Sequence, residues 1–222
     1  MLITVSRNLL LPLLAVLCWG CTVTQPTGGA TTAPVVSLAA TKMNVLYIGV
    51  DNPLEVTAAG VALNEIKVES DQVSVSQGAD GQFVATASRP GEATLLIKAG
   101  DKILGSKSYR VKRIPDPVAR LSRSSGGRMG NGEFKAQGGV GAFIDNFDFD
   151  VRCAIQGYEL TYLPKRGDPI SSLNVGARYN AKSQRLIRQA KPGDVFYFTN
   201  VKAKCPGDAA GRTINTMVFR IQ

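Results

Sequence analysis

Histidine is absent from all 222 residues. Its absence removes the commonest general base at neutral pH and the commonest metal ligand, so triad-type hydrolysis and zinc chemistry lack their first requirement. Tryptophan occurs once, as Trp19 near the start, and aromatic residues make up 7% of the chain. That leaves little from which to build the exposed ring platforms of a sugar-binding module. No apolar run approaches the roughly 20 residues of a bilayer-spanning helix. There is no Gly-rich phosphate loop, no paired acid with an evident base and no repeat of fixed period. No catalytic residue, metal or cofactor is therefore expected.

Cysteine is sparse as well, four in all, and the first two fall at the N-terminus. Residues 1–20 hold one cation, Arg7, and then an apolar run over 9–17 broken only by Pro12, the pattern of a secretory signal. Leu17-Cys18-Trp19-Gly20-Cys21 resembles a lipobox, with Gly20 before the cysteine as lipoprotein processing requires, and Cys21 is the expected lipidation site. Residues 21–41 are rich in Thr, Pro, Ala and Gly and carry no charge, so they are expected to form a disordered tether.

From residue 42 short alternating runs follow at 45–50, 55–58, 66–69, 73–76, 82–87, 93–98 and 107–112. Asp51-Asn52-Pro53, Gly78-Ala79-Asp80-Gly81, Arg89-Pro90-Gly91 and Ala99-Gly100-Asp101 separate them. Turn chemistry at this spacing predicts an immunoglobulin-like β-sandwich over 42–113. Ile114, Pro115, Asp116 and Pro117 then interrupt the pattern. The prolines fix their own φ and push their predecessors out of helical geometry, which predicts a stiff linker between two domains. The charge changes at the same place. Residues 21–113 hold 9 basic and 8 acidic side chains, net +1, whereas residues 114–222 hold 16 and 9, net +7. The positive field belongs to the second domain and points to an acidic partner.

Residues 118–222 are predicted to form a second β-sandwich, with strands at 133–137, 141–145, 148–162, 196–204 and 213–222 and one short helix at 183–190. Ser183 is in position to cap that helix, Leu186, Ile187 and Ala190 share one side, and Pro192-Gly193 stops it. Arg185 and Arg188 project together, and with Arg178, Lys182 and Lys191 they make the densest basic cluster of the chain. It reads either as a protein-docking surface or as a solvated helix face. Residues 121–132 scatter Arg123 and Arg128 among Ser and Gly and read as a loop; nucleic acid is not an expected partner, because export makes it scarce and no aromatics interleave. Asp145, Asp148 and Asp150 lack the glycine and distant glutamate of a calcium loop and alternate with Phe147 and Phe149 as the polar face of a strand would. Cys153 and Cys205 either close a disulfide, contributing on the order of 3–4 kcal/mol, or serve as small core residues.

Four stretches in order, YRVKRIPDPVA, FIDNFDFDVRCAIQGYEL, QAKPGDVFYFTNVKAKCPGDAAGR and INTMVF, resemble the C-terminal half of the GldM/PorM family of type IX secretion and gliding proteins of the Bacteroidetes. The resemblance runs over about residues 42–222. It implies a non-enzymatic periplasmic scaffold that forms a homodimer and meets ring components associated with the outer membrane. It departs at the N-terminus, where the family's transmembrane anchor and long helical domain give way to the leader and Cys21. A lipid-tethered accessory paralogue, at the outer rather than the inner membrane, is the expectation. Two functions remain, an adaptor that docks envelope proteins and a carbohydrate- or peptidoglycan-binding module, and the shortage of exposed aromatics favours the adaptor. Cys21→Ser is expected to abolish lipid-dependent processing and to release the protein from the membrane fraction, scored by fatty-acid labelling and fractionation. Processing and membrane association equal to wild type would refute lipidation.

Overall fold

Ile66-Lys67-Val68-Glu69 buries its first and third side chains and exposes the other two, the period of a strand with one face on a core and one in water. The same alternation organises the whole first half. In the structure, a computed structural model that describes residues 36–40 and 44–222, the elements of this half are β1 (Val36–Ala40), β2 (Val45–Tyr47), β3 (Asp51–Ala58), β4 (Ile66–Glu69), β5 (Ser74–Gln77), β6 (Phe83–Thr86), β7 (Gly91–Ala99) and β8 (Lys102–Lys112). The expected leader, Cys21 and the tether up to residue 35 lie outside the described residues. Two four-stranded sheets, ordered β1-β3-β6-β5 and β2-β8-β7-β4, close over Leu46, Leu54, Ile66, Leu95, Ile97 and Tyr109 as a sandwich.

Two local expectations change here. The stretch read as tether contributes β1, whose backbone pairs antiparallel with β3 from Val36 opposite Ala58 to Ala40 opposite Leu54. An uncharged segment too small to pack by itself can still satisfy its amides on an existing edge. Asp51-Asn52-Pro53, expected as a turn, opens β3 instead. The turn lies just before it, at Gly49 with φ +78°. Asn52, 2% exposed, accepts from the Tyr47 N–H at 2.7 Å and donates to the carbonyls of Tyr47 and Ala85 at 2.9 and 3.0 Å, fixing the corner from inside the strand.

The second half contains β9 (Val118–Arg120), β10 (Gly127–Met129), α1 (Asn131–Lys135), β11 (Gly141–Phe143), β12 (Ala154–Leu163), β13 (Ile170–Val175), α2 (Ala181–Arg188), β14 (Val195–Lys204), β15 (Arg212–Thr213) and β16 (Met217–Ile221). Its main sheet runs β10-β16-β14-β12-β13, with β15 added beside β14, and β9 and β11 form a separate ribbon. Along β12, β14 and β16 every second residue points inward: Tyr158, Leu160 and Tyr162, then Phe196 and Phe198, then Met217 and Phe219. Phe134 of α1 and Leu186 and Ile187 of α2 complete this core, the Phe134 and Phe196 rings lying 4.5 Å apart.

Of the strand expected at 133–137, the first three residues belong to α1 instead, because Glu133 and Lys135 favour a helix, Phe134 reaches the core from it, and five residues are too few to separate a period of two from one of 3.6. The loop expected over 121–132 contains β10, parallel to β16. The long strand expected from 148 begins only at Ala154, since the preceding residues serve the junction between domains. Phe147 and Phe149 pack against Tyr47 with ring centroids 4.8 and 5.4 Å away.

That junction has three further parts. Arg212 donates to the Ile114 carbonyl at 2.9 Å, to Asp116 at 2.6 Å and, through Nε and Nη2, to Asp208 at 3.0 and 2.8 Å. Burial would raise the Asp208 carboxyl, but the Arg212 guanidinium and the Cys205 N–H hold it below its ordinary value. Gly207, at φ +77°, sits so close to Ile48 that a Cβ would meet the Ile48 carbonyl carbon at 2.9 Å. Cys153 and Cys205 are joined by a disulfide that ties the segment carrying Phe147 and Phe149 to the turn carrying Gly207. The Ile114, Pro115, Asp116 and Pro117 linker thus runs alongside a packed seam, with Ile114 only 2% exposed. Gly207→Val is expected to force this seam open at a cost of order 1–3 kcal/mol, widening the interdomain distance distribution in small-angle scattering while circular dichroism stays β-like. Replacing Pro115 and Pro117 by Gly should widen it less, and an unchanged distribution in Gly207→Val would show that the seam is not what holds the domains.

Candidate functional site

The start of α2 is fixed by a set of small polar side chains shared with β13. Asn180 has extended backbone and its side chain accepts from the Ser183 N–H at 2.8 Å, so Asn180 is the N-cap, a position it fills as well as Ser does and worth about 1 kcal/mol. Ser183, expected as the cap, is instead buried inside the first turn and accepts from the Asn174 amide at 2.9 Å. Asn174 also receives the Asn180 N–H at 2.9 Å, and Asn180 donates to the Leu173 carbonyl at 2.7 Å. The cap and the strand therefore position each other.

The far end of α2 is fixed by one buried carboxylate. Asp194, 3% exposed, accepts from the Tyr162 hydroxyl at 2.8 Å and from the N–H groups of Lys165 and Lys191 at 2.9 Å each. Burial would raise its pKa, but these three donors and the Lys191 charge hold it below the usual carboxylate range. Ionised and fully engaged, Asp194 draws the turn after β12 to the turn after α2.

Between these anchors Leu186, Ile187 and Ala190 go into the core, 6, 2 and 0% exposed. Arg178, Lys182, Arg185, Arg188 and Lys191 are all exposed. Arg188 donates to Gln184 at 3.2 Å, an uncharged partner one turn back. The ion pairs among the described residues are Lys98 with Glu69, Arg120 with Asp145, and Arg212 with both Asp116 and Asp208, so none of the five cations of this face is in an ion pair, and Asp194, which feels the Lys191 charge, is itself buried. Lys165 and Arg166, exposed in the turn before β13, extend the charged area and escaped the sequence reading. So did β13 itself, whose Ile-Ser-Ser-Leu-Asn-Val lies between Pro169 and Gly176 and presents Leu173 and Val175 to solvent, 73 and 88% exposed.

The acids weighed earlier do not converge. Asp145 is paired with Arg120, Asp148 and Asp150 lie in irregular chain beside the junction, and no cluster of three or more metal-ligating side chains occurs among the described residues. A shallow groove of about 550 Å³ at the junction is lined by Asp51, Asp150 and Arg152 among mostly apolar residues, Phe149 included. No nucleophile with a base beside it lies there.

Comparison with curated protein sequences finds no match. Among solved structures, the chain is similar to domains 6 and 7 of the surface layer protein SbsC at 10% identity, covering 84% of this chain and 98% of that one with a TM-score of 0.29. It is also similar to the Yersinia pseudotuberculosis adhesin InvE at 12% identity, covering 83% and 58% with a TM-score of 0.28. Likenesses this low carry no argument. Family models are decisive: the model for the GldM third domain matches residues 35–112 and the model for the GldM C-terminal domain matches residues 115–222. Matched by both in sequence order, the chain belongs to the GldM family and is a GldM-like component of the type IX secretion and gliding machinery.

Proposed function

We propose that this protein is a non-enzymatic adaptor of the periplasm, held at the outer membrane by lipid on Cys21, whose second domain docks an acidic face of another envelope protein. Components of the type IX secretion ring are the class of partner that the family points to. The observation that carries the reading is the basic face of Arg178, Lys182, Arg185, Arg188 and Lys191, none of which is in an ion pair among the described residues. A cluster of like charges repels itself, and the nearby buried acid, Asp194, is already saturated by three donors. Relief has to come from counterions or from a partner, and a rigid helix anchored at both ends is a suitable support for the second. Leu186 and Ile187 secure the helix independently of its charges, so the charged side is free for recognition.

Exposed ion pairs contribute roughly 0.2–1 kcal/mol each, so Arg188→Ala should weaken partner binding only a few-fold. The double change Arg185→Glu and Arg188→Glu should slow association markedly and flatten its dependence on salt, with thermal stability nearly unchanged. Surface plasmon resonance against purified ring components at low and moderate ionic strength provides the measurement. Equal association rates before and after reversal would reduce this face to a solvated helix surface.

A further inference from the structure

β13 is the last strand of the main sheet and, among the described residues, pairs on one side only, with β12. Natural sheets blunt such edges with charges, prolines, bulges or very short strands. This edge has none of those defences: it is six residues long, contains no charged residue and no proline, and is in unbroken register with β12 from Ile170 to Val175. Its ladder phase follows from one hydrogen bond. The Gly176 N–H donates to the Gln156 carbonyl at 2.8 Å, and because hydrogen-bonded pairs alternate along an antiparallel ladder, Ser171, Leu173 and Val175 turn their N–H and C=O groups away from β12. The Leu173 carbonyl confirms the phase, since it is engaged by Asn180 at 2.7 Å from the outer side. The remaining outward groups meet no protein partner among the described residues.

Chemistry around the edge is mainly apolar and basic, with two acids, Asp168 in the turn before β13 and Glu159 of β12 opposite Leu173. On the open face of the sheet stand Leu173 and Val175. At the ends of the strand, and along the helix that packs beneath it, stand Lys165, Arg166, Arg178 and Lys182, all exposed. We propose that the free edge of β13 takes an extended segment of the partner protein as an added strand, with apolar residues on the open face and acidic residues on the α2 face. Main-chain hydrogen bonds to Ser171, to Val175 and to the Leu173 N–H supply register, the Leu173 carbonyl being held by Asn180, and the basic residues select the charge of the incoming strand. This rests on the docking reading given above and assigns it a binding mode.

The test uses the full chain and two fluorescein-labelled synthetic peptides of equal composition, one alternating Val and Glu, the other with the Val and Glu residues in separate blocks, compared by fluorescence anisotropy. The alternating peptide should bind tighter by about tenfold or more. N-methylation of alternate amides along one of its edges should abolish that advantage, while N-methylation along the other edge should not. Val175→Pro, which places the ring where the N–H faces outward and leaves the β12 ladder intact, should remove the advantage as well. Should that variant fail to fold, the N-methylated peptides decide with wild-type protein. Equal binding of the two peptides, lost in the Arg185→Glu and Arg188→Glu protein, would overturn the strand-addition mode while keeping the basic docking face. Failure of both peptides to bind would overturn it, and a dimer in sedimentation that is lost in Val175→Pro would assign the edge to a second copy of the chain instead.

Discussion

One-sided burial of the six-stranded sheet governs the second domain. Tyr158, Leu160, Tyr162, Phe196, Phe198 and Phe219 all point to the same side, and fully burying each such side chain is worth roughly 1.5–3 kcal/mol. Two short helices and a ribbon cover that side. A five-residue helix such as α1 cannot stand alone in water, and neither can α2, so both exist because the aromatic layer needs a lid. Once Leu186, Ile187 and Ala190 face inward, helical geometry leaves Arg185 and Arg188 no direction but outward. The basic face is in this sense a consequence of the core.

The contacts between the domains have a different origin. Proline restricts the linker, but restriction of four residues does not fix an orientation; contacts do. Arg212 reads the linker from the second domain through the Ile114 carbonyl and Asp116, and Gly207 allows the backbone of one domain to approach Ile48 of the other more closely than any side chain would permit. The disulfide joins the turn that carries Gly207 to the segment whose Phe147 and Phe149 pack against Tyr47.

Much of this was legible in the sequence, and the misses share a cause. The alternating strands of the first domain and the apolar stripe of α2 are local signals, repeated in the pattern of neighbouring residues. Where a side chain does the work of the backbone, local signals mislead. Asn52 looked like a turn residue and instead holds a corner from within β3; Ser183 looked like a cap and instead fills the space beneath Asn174. β13 was invisible because its inward positions are Ser172 and Asn174, small polar residues that suit the capping network of α2 and erase the apolar alternation by which a strand is recognised. The basic cluster was readable residue by residue, while its lack of ion pairs depends on where Asp194 and Asp208 turn, which only the fold decides.

In the docking mode proposed here, charge and edge have different parts. Surface charges on long, mobile side chains act at a distance and are screened within about 8 Å at physiological salt, so they govern encounter more than residence. An edge strand acts only on contact, but its donors and acceptors are already ordered by β12, and ordering that exists before binding does not have to be supplied by the partner. The Asn180 side chain belongs to both systems: it caps the helix that presents the charges and occupies the Leu173 carbonyl at the middle of the edge. A displacement of α2 by a ligand on its basic side would therefore be felt at the edge, and a strand arriving at the edge would press on the cap of the helix. Through that one amide, the cap of the helix that carries the basic face and the middle of the free edge share a hydrogen-bond network.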